Sequence, residues 1–529
     1  MHDDPAPMPT IRTTISDPSL IAARRLPRND VLVAEEEVAP GVFRGVAGPF
    51  STWEREIHTI DGETIGQTAL VETLRARLAA PHMGRLMELL LRHPIRHGVP
   101  RDTSPWWAPT QRITQRDATI LGLCATLSLI AGFLGGLIGQ TMAFIAKDLG
   151  GDTDVQATAF AVIRVGAVLT FVATALADRR GRRPVLKWTL VGASVAALVT
   201  ALAPSLTVVT GSQLVCRGLV AASAYLIPIV CSEELPARSR AYAIGLMSLP
   251  GALGVGIVLW LLPLINLGPS AWRLLYLFGA VTLIATWKTV ARLPESRRFE
   301  SVDPLAATEP AGFRAKSSAE PESEGERWSG VVISRFLVLA LTMVLLNVFA
   351  APVQQMQTDY LSNTRQMGPA LIALFMLATN SWGFVGVALG ARMADRSSRR
   401  LATAIGMVGF AIGNTLLFTF GGPLMWVGSL IGSAVGGLIV PSLGALLPEL
   451  FPTLRRGAAN GLMNGAAVCG SILGLLIVAR SVSDGHYAPT VAMLALGPLI
   501  VAALVWALPE TAGVELEELN PSDSAPDPA

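Results

Sequence analysis

Two arginines sit where a charge is expensive. Arg164 and Arg217 each lie inside an otherwise uncharged apolar run, 14 residues before Asp178 and 16 before Glu233 (178 − 164 and 233 − 217). If those runs are helices, ~1.5 Å per residue places both guanidinium groups ~20–25 Å from the helix ends at Asp178 and Glu233, near or just outside the middle of a membrane. A charge at that depth marks function or demands a partner. A guanidinium is a planar fork of donors that matches a carboxylate or phosphate, so the implied chemistry is recognition of an anionic or carboxylate-bearing solute. The structural alternative is that each arginine bonds backbone carbonyls or reaches toward Asp154. Gln213, Asn347 and Asn380 are further polar candidates in apolar runs, with Trp260 and Trp382 as apolar walls. Each amide could equally serve as a hydrogen bond between helices.

A second set of charges falls at the ends of apolar runs. Residues 174–186 read TALADRRGRRPVL and residues 391–403 read ARMADRSSRRLAT. Glu233 and Arg240 recur as Glu449 and Arg456, and Pro294-Glu295-Ser296 as Pro509-Glu510-Thr511. The offsets are nearly constant (395 − 178, 449 − 233, 509 − 294), which points to duplication within a membrane protein. Carboxylates and arginines at helix ends suit a gate, because a carboxylate there caps a neighbouring helix or pairs with an arginine. The arginines could instead only fix topology.

The elements that must carry these residues are membrane helices. The chain has 529 residues, 51% of them hydrophobic and 15% charged, against roughly 25% charged in soluble domains; its mean hydropathy is +0.50. Twelve spans are expected at about 118–141, 155–177, 185–203, 206–231, 241–264, 272–291, 331–352, 368–392, 401–420, 423–447, 458–479 and 489–508, each long enough for a ~30 Å hydrocarbon core. The links after the second, fourth, eighth and tenth spans carry arginine; those after the third and ninth carry no charge. The positive-inside rule then puts both termini in the cytoplasm of a multi-pass cell-membrane protein. No acid falls deep in a span: Asp148, Asp154, Asp359 and Asp484 lie near outer ends, and residues 132–144 of the first span contain none.

The domains expected are a cytoplasmic extension (1–115), a six-helix bundle (116–296), a polar linker (297–330), a second bundle (331–511) and a polar tail (512–529). In the extension, residues 31–48 suit short strands. Residues 66–94 have helical spacing, with Leu70, Leu74 and Leu78 followed by Met87, Leu90 and Leu91, and Pro81 splitting them into two helices. The extension reads as a small appendage or surface helix pair, with a sensing domain as the other option. The four cysteines form no CxxC pair and read as apolar filler, so neither metal nor cofactor is expected. The net charge of +2 gives no reason to expect nucleic acid.

With LADRRGRR after the second span, SEELPARSRA after the fourth, LPESRRF after the sixth and LPETAGVELEEL after the twelfth, the chain resembles the major facilitator superfamily over residues 117–519. The last three motifs look most like its sugar-porter and metabolite-symporter branches. The resemblance implies an all-α membrane protein of twelve helices in two pseudo-symmetric six-helix bundles, here with a soluble N-terminal extension. It implies a non-enzymatic, monomeric secondary transporter of a small organic solute, held in membrane lipid and working by alternating access, with proton coupling the family default. It further implies a cytoplasmic latch of Asp178, Gly181, Arg182, Arg183, Glu233 and Arg240 facing Asp395, Arg399, Glu449 and Arg456. Arg217 and Asn347 would lie on cavity-lining helices; the sugar-porter arginine lies about one turn earlier, near Gln213. Two departures, Thr174 in place of Gly and Ser398 at the position of Gly181, predict looser crossing and turning. Gly245-x-x-x-Leu249-Pro250-x-x-Leu253-Gly254 half-matches a motif of proton-drug antiporters, so an efflux antiporter is one alternative. A transporter-like receptor signalling through residues 1–115 is another.

Overall fold

Hydropathy sets the architecture. The computed structural model describes residues 10–15, 17–61, 68–98, 112–234, 240–294, 330–451, 456–482 and 487–512. Among them, 12 helices are long and apolar enough to cross a membrane. Spans 1–6 are Gln115–Leu149, Thr153–Ala177, Arg182–Ala201, Leu206–Cys231, Met247–Leu267 and Pro269–Arg292. Spans 7–12 are Ile333–Thr364, Pro369–Ala394, Arg399–Thr419, Pro423–Leu447, Gly461–Ser481 and Tyr487–Ala507. Span 1 starts at a capping box: the Asp117 N–H donates to Thr114 Oγ1 (3.2 Å) and the Thr114 N–H to Asp117 Oδ2 (3.0 Å).

The largest departure from expectation is span 7. Its helix runs Gly330–Asp359, straight through Pro352, and ends in a π turn at Tyr360–Thr364. Proline and the following Gln354-Gln355 read as an end. Within a packed bundle, neighbouring helices satisfy the groups a proline frees, so the helix continues. The extra turns carry Asp359 into the span.

The N-terminal extension is a β domain. Strands β1 (Thr10–Ile15), β2 (Ala34–Ala39), β3 (Val42–Ala47), β4 (Phe50–Asp61) and β5 (Thr68–Leu78) form one antiparallel sheet in the order β1-β5-β4-β3-β2. Helices α1 (Pro18–Arg24), α2 (Gly84–Leu90) and α3 (Arg92–His97) accompany it. The strands expected in 31–48 are present; the first helix expected in 66–94 is instead β5. A spacing of four is also an even spacing, so Leu70 and Leu74 share one face of a strand as readily as of a helix. Glu72 and Ala76 are buried on that same face and complete the period of two.

One buried ion pair organises the domain. Arg55 and Glu35 meet at 2.6 Å with both side chains fully buried. Trp53 Nε1 donates to Glu35 (2.7 Å), and Arg55 donates to the carbonyls of Arg24 and Leu26. Such a pair survives burial because its remaining donors and acceptors are satisfied. The domain is fastened to span 1, where Thr119 Oγ1 donates to the Ala79 carbonyl at 2.9 Å.

Candidate functional site

One crossing places both mid-span arginines. Span 2 breaks after Val165, where the N–H groups of Gly166 and Ala167 turn back to Ile163 and Arg164, three residues earlier. The break presses span 2 onto span 4. A Cβ on Gly166 would fall 2.2 Å from the Leu214 carbonyl oxygen, and one on Gly218 would fall 2.2 Å from that of Gly166. Arg164 and Arg217 flank this backbone contact. Both lie equally far from the arginine-poor ends of their spans (164 − 153 and 217 − 206), a depth of ~17 Å. Both are half-buried and close enough to interact electrostatically. Arg217 Nη1 donates to the Gly135 carbonyl of span 1 at 3.1 Å. Among the described residues neither arginine forms an ion pair. Two like charges in a low-dielectric interior repel, and an anion brought between them relieves the repulsion.

Arg217 opens into a cavity of about 520 Å³ between spans 1, 4 and 5, a size that suits a small organic solute. Ser128, Val220, Pro228, Met247 and Ser248 contribute to its wall, and Arg217 is the charged group of the lining. The other ligand candidates lie elsewhere. Gln213 is buried and donates to Thr200 Oγ1 of span 3 at 2.8 Å. Asn347 donates to the Met343 carbonyl at 2.9 Å and faces Ser471 of span 11. Asn380 accepts from Ser433 at 3.1 Å, and Trp382 is exposed at the break in span 8. The structure thus brings Arg164 and Arg217 together and leaves the amides to interhelical bonds.

The two charged hairpins are built differently. Gly181 has φ +94°, a backbone region that disfavours any side chain. Arg183 then donates to the carbonyls of Val290 (3.2 Å) and Ala291 (3.1 Å) at the end of span 6. In the second half Ser398 is extended and caps span 9, its Oγ accepting from the Leu401 N–H at 3.1 Å. Its hydroxyl also donates to Glu510. The serine expected to loosen the turn therefore ties it. Arg399 N–H donates to Glu510 (3.0 Å), Arg399 Nη1 to Thr511 (2.9 Å), and Arg400 pairs with Glu510 at 3.3 Å. Arg400 also donates to the Leu508 carbonyl at 3.0 Å, the counterpart of Arg183 on Ala291 (400 − 183 and 508 − 291). Burial opposes a charge on Glu510, but hydrogen bonds from Ser398 and from the N–H groups of Arg399, Ala512 and Arg400 outweigh it. Its carboxyl pKa is pulled down to about 2.

Arg182 is half-buried beside Gly181. The side chains of Asp178, Glu233, Arg240, Asp395, Glu449 and Arg456 lie outside the described residues. Next to Glu233, the buried Glu234 pairs with Arg116 of span 1 at 3.3 Å.

Sequence reasoning missed the importance of Asp359. Expected near an outer end, it is 2% exposed. Its Oδ1 accepts from Gln156 (2.8 Å) and Asn363 (2.7 Å), and its Oδ2 from Thr153 (3.2 Å) and the Tyr487 hydroxyl. These donors come from spans 2, 7 and 12, so one carboxylate joins the two halves at the arginine-poor face. Thr358 adds bonds to Gly139 (3.4 Å) and Gln140 (3.3 Å) of span 1. The available signal was the unbroken stretch from Val353 to Met367, with neither glycine nor proline. Toward the arginine-rich face the halves touch where Asn464 Nδ2 donates to the Tyr225 hydroxyl.

This architecture has relatives. The chain matches the Major Facilitator Superfamily over residues 124–388 and 336–523. It is 24% identical over 430 residues to the probable metabolite transport protein CsbC of Bacillus subtilis, covering 74% of this chain and 92% of that one. The inward-open xylose transporter XylE from E. coli superposes with a TM-score of 0.61 at 17% identity, covering 76% of this chain and 99% of the other. A D-xylose-proton symporter superposes with a TM-score of 0.61 at 17% identity, covering 73% and 96%. The twelve spans, the duplicated hairpins and the matched residues together establish that this multi-pass membrane transport protein belongs to the Major Facilitator Superfamily.

Proposed function

We propose that the chain is a secondary active transporter that moves a small anionic or carboxylate-bearing solute by alternating access, coupled to protons, as a monomer with both termini in the cytoplasm. The observation that carries this reading is Arg217, a guanidinium in an apolar cavity, with a second arginine, Arg164, within electrostatic reach beyond the contact of spans 2 and 4. An anion satisfies both charges at once, and a carboxylate or phosphate fits the donor fork. Proton coupling is supported by likeness to a D-xylose-proton symporter. In this reading the Asp359 cluster is the outer closure. The cytoplasmic hairpins, including Asp178, Glu233, Arg240, Asp395, Glu449 and Arg456, form the inner latch. Each exposed pair in such a latch contributes ~0–1 kcal/mol, weak enough to break in every cycle.

Flux into proteoliposomes tests the reading. Neutral sugars are paired with their carboxylate derivatives, and internal pH is followed. Uptake of an acid but not its neutral parent, with acidification of the lumen, is the expected result. Transport of neutral solutes alone sinks the anionic assignment, and sensitisation of cells to a toxic compound on deletion favours export. For the latch, Asp178→Asn should slow turnover more than it weakens ligand binding from the outer side. Unchanged turnover counts against it.

A further inference from the structure

The junction between the β domain and span 1 carries charges that transport does not use. A cavity of about 1110 Å³ lies there, bounded by the end of β5, by α2 and α3, and by Gln115 and Thr119 of span 1. Arg77, Arg85 and Arg92 line it together with His82. All four are exposed, and the guanidinium groups of the three arginines form no hydrogen bond or ion pair among the described residues. Four other arginines of the domain are paired: Arg24 with Glu72, Arg28 with Asp30, Arg55 with Glu35 and Arg75 with Glu56. The acid in the lining, Glu88, is already engaged, accepting from the Leu78 N–H at 2.8 Å. Three arginines therefore line one cavity against a single carboxylate, which leaves an excess of positive charge there.

Depth tells what compensates them. Ala80 packs on span 1 so closely that a Cβ on Gly122 would fall 2.9 Å from its Cα. The lining residues Gln115 and Thr119 bracket the start of the apolar run at Ala118, the depth at which a spanning helix passes from headgroups to hydrocarbon. Leu89 of α2, 66% exposed, lines the same cavity. Basic groups beside an exposed apolar side chain at this depth match the chemistry of an anionic membrane interface.

We infer that this cavity binds the phosphate headgroup of an anionic phospholipid in the arginine-rich leaflet, with Arg77, Arg85 and Arg92 on the phosphate oxygens. Span 1 runs from this site to Gly135, whose carbonyl holds Arg217, so the headgroup anchors one end of a helix that shapes the transport cavity.

Native mass spectrometry of the full-length protein, titrated with phosphatidylglycerol or phosphatidylcholine, tests the assignment. The wild type should retain phosphatidylglycerol in preference. Combined Arg77→Gln, Arg85→Gln and Arg92→Gln should weaken that retention about tenfold or more. The corresponding three-lysine variant should keep most of it, which separates charge from folding. Arg25→Gln, an exposed arginine outside the cavity, should behave as wild type. Equal retention by wild type and the glutamine variant overturns the proposal. So does a thermal shift with inorganic phosphate that depends on the three arginines while no lipid preference is seen, because the site then serves a soluble phosphate.

Discussion

The two halves cross their second and fourth helices in the same way and fill the crossing with different chemistry. In the first half Gly166 and Gly218 bring spans 2 and 4 into backbone contact, flanked by Arg164 and Arg217. In the second, a Cβ on Gly386 would fall 1.9 Å from the Ala434 carbonyl oxygen, and one on Gly437 would fall 2.6 Å from that of Gly383, between spans 8 and 10. The polar groups there are Asn380 on Ser433 (3.1 Å) and Thr379 on Ser429 (2.8 Å). The glycines recur because both bundles need the close approach. The arginines do not recur, and the hydrogen bond from Arg217 to the Gly135 carbonyl has no counterpart among the described residues of the second half. In the proposed reading, a charge kept in one copy of a duplicated crossing serves a ligand rather than the scaffold.

The largest expected effect separates those two crossings. Arg217→Ala should lower solute uptake by ~100-fold or more, as when one partner of a desolvated charge pair is removed, with Arg217→Lys retaining a part. Ser433→Ala, at the neutral crossing, should change uptake by less than about threefold. Equal losses in the two variants would erase the distinction between the halves.

Asp359→Asn comes next. An amide brings N–H donors to a place already filled by donors from Gln156, Asn363, Thr153 and Tyr487, so the closure at the arginine-poor face should loosen. In a Gln355→Cys background, labelling by an impermeant maleimide should rise about tenfold, the effect of losing charge-assisted bonds. Unchanged labelling would mean that Asp359 does not hold that face closed.

Smaller and symmetric effects are expected of the glycines. Gly166→Ala and Gly386→Ala each force a Cβ onto a carbonyl oxygen and should each cost ~1–3 kcal/mol, read as matched drops in thermal stability. A drop in one half only would show that the two crossings are not structural equivalents.

The hairpins should respond most weakly. Gly181→Ala places a side chain at φ +94° and costs ~1–2 kcal/mol, while Ser398→Ala removes a cap worth ~1 kcal/mol. The Ser398 hairpin should also be acid-sensitive. The Glu510 carboxyl is depressed from 4.5 to about 2, so its contribution is complete above the ordinary carboxylate value and is lost as pH falls toward about 2. Thermal stability of the wild type should fall more on acidification across that window than stability of Glu510→Gln.

Some of this was legible in the chain itself. The spans follow from runs of apolar residues, and the duplication from motifs that recur at nearly one offset. Gln213 shows the limit: its type and position fit a ligand, yet only the fold reveals Thr200 waiting on span 3. β5 shows another, because leucines four apart satisfy a helix and a strand alike until Glu72 and Ala76 are seen to be buried with them. Ser398 shows a third, since a serine in a glycine position reads as a defect until Glu510 is found beside it.

By itself the sequence determined the twelve membrane helices, the twofold repeat and the family, because hydropathy and charge at helix ends are local properties that act wherever the helix lies. Tertiary structure decided which of the buried polar groups are spent on protein partners. Arg164 comes within electrostatic reach of Arg217, Gln213 is spent on Thr200, and Asp359 draws donors from three spans, because the cost of burying a polar group is settled by partners that only folding brings within reach.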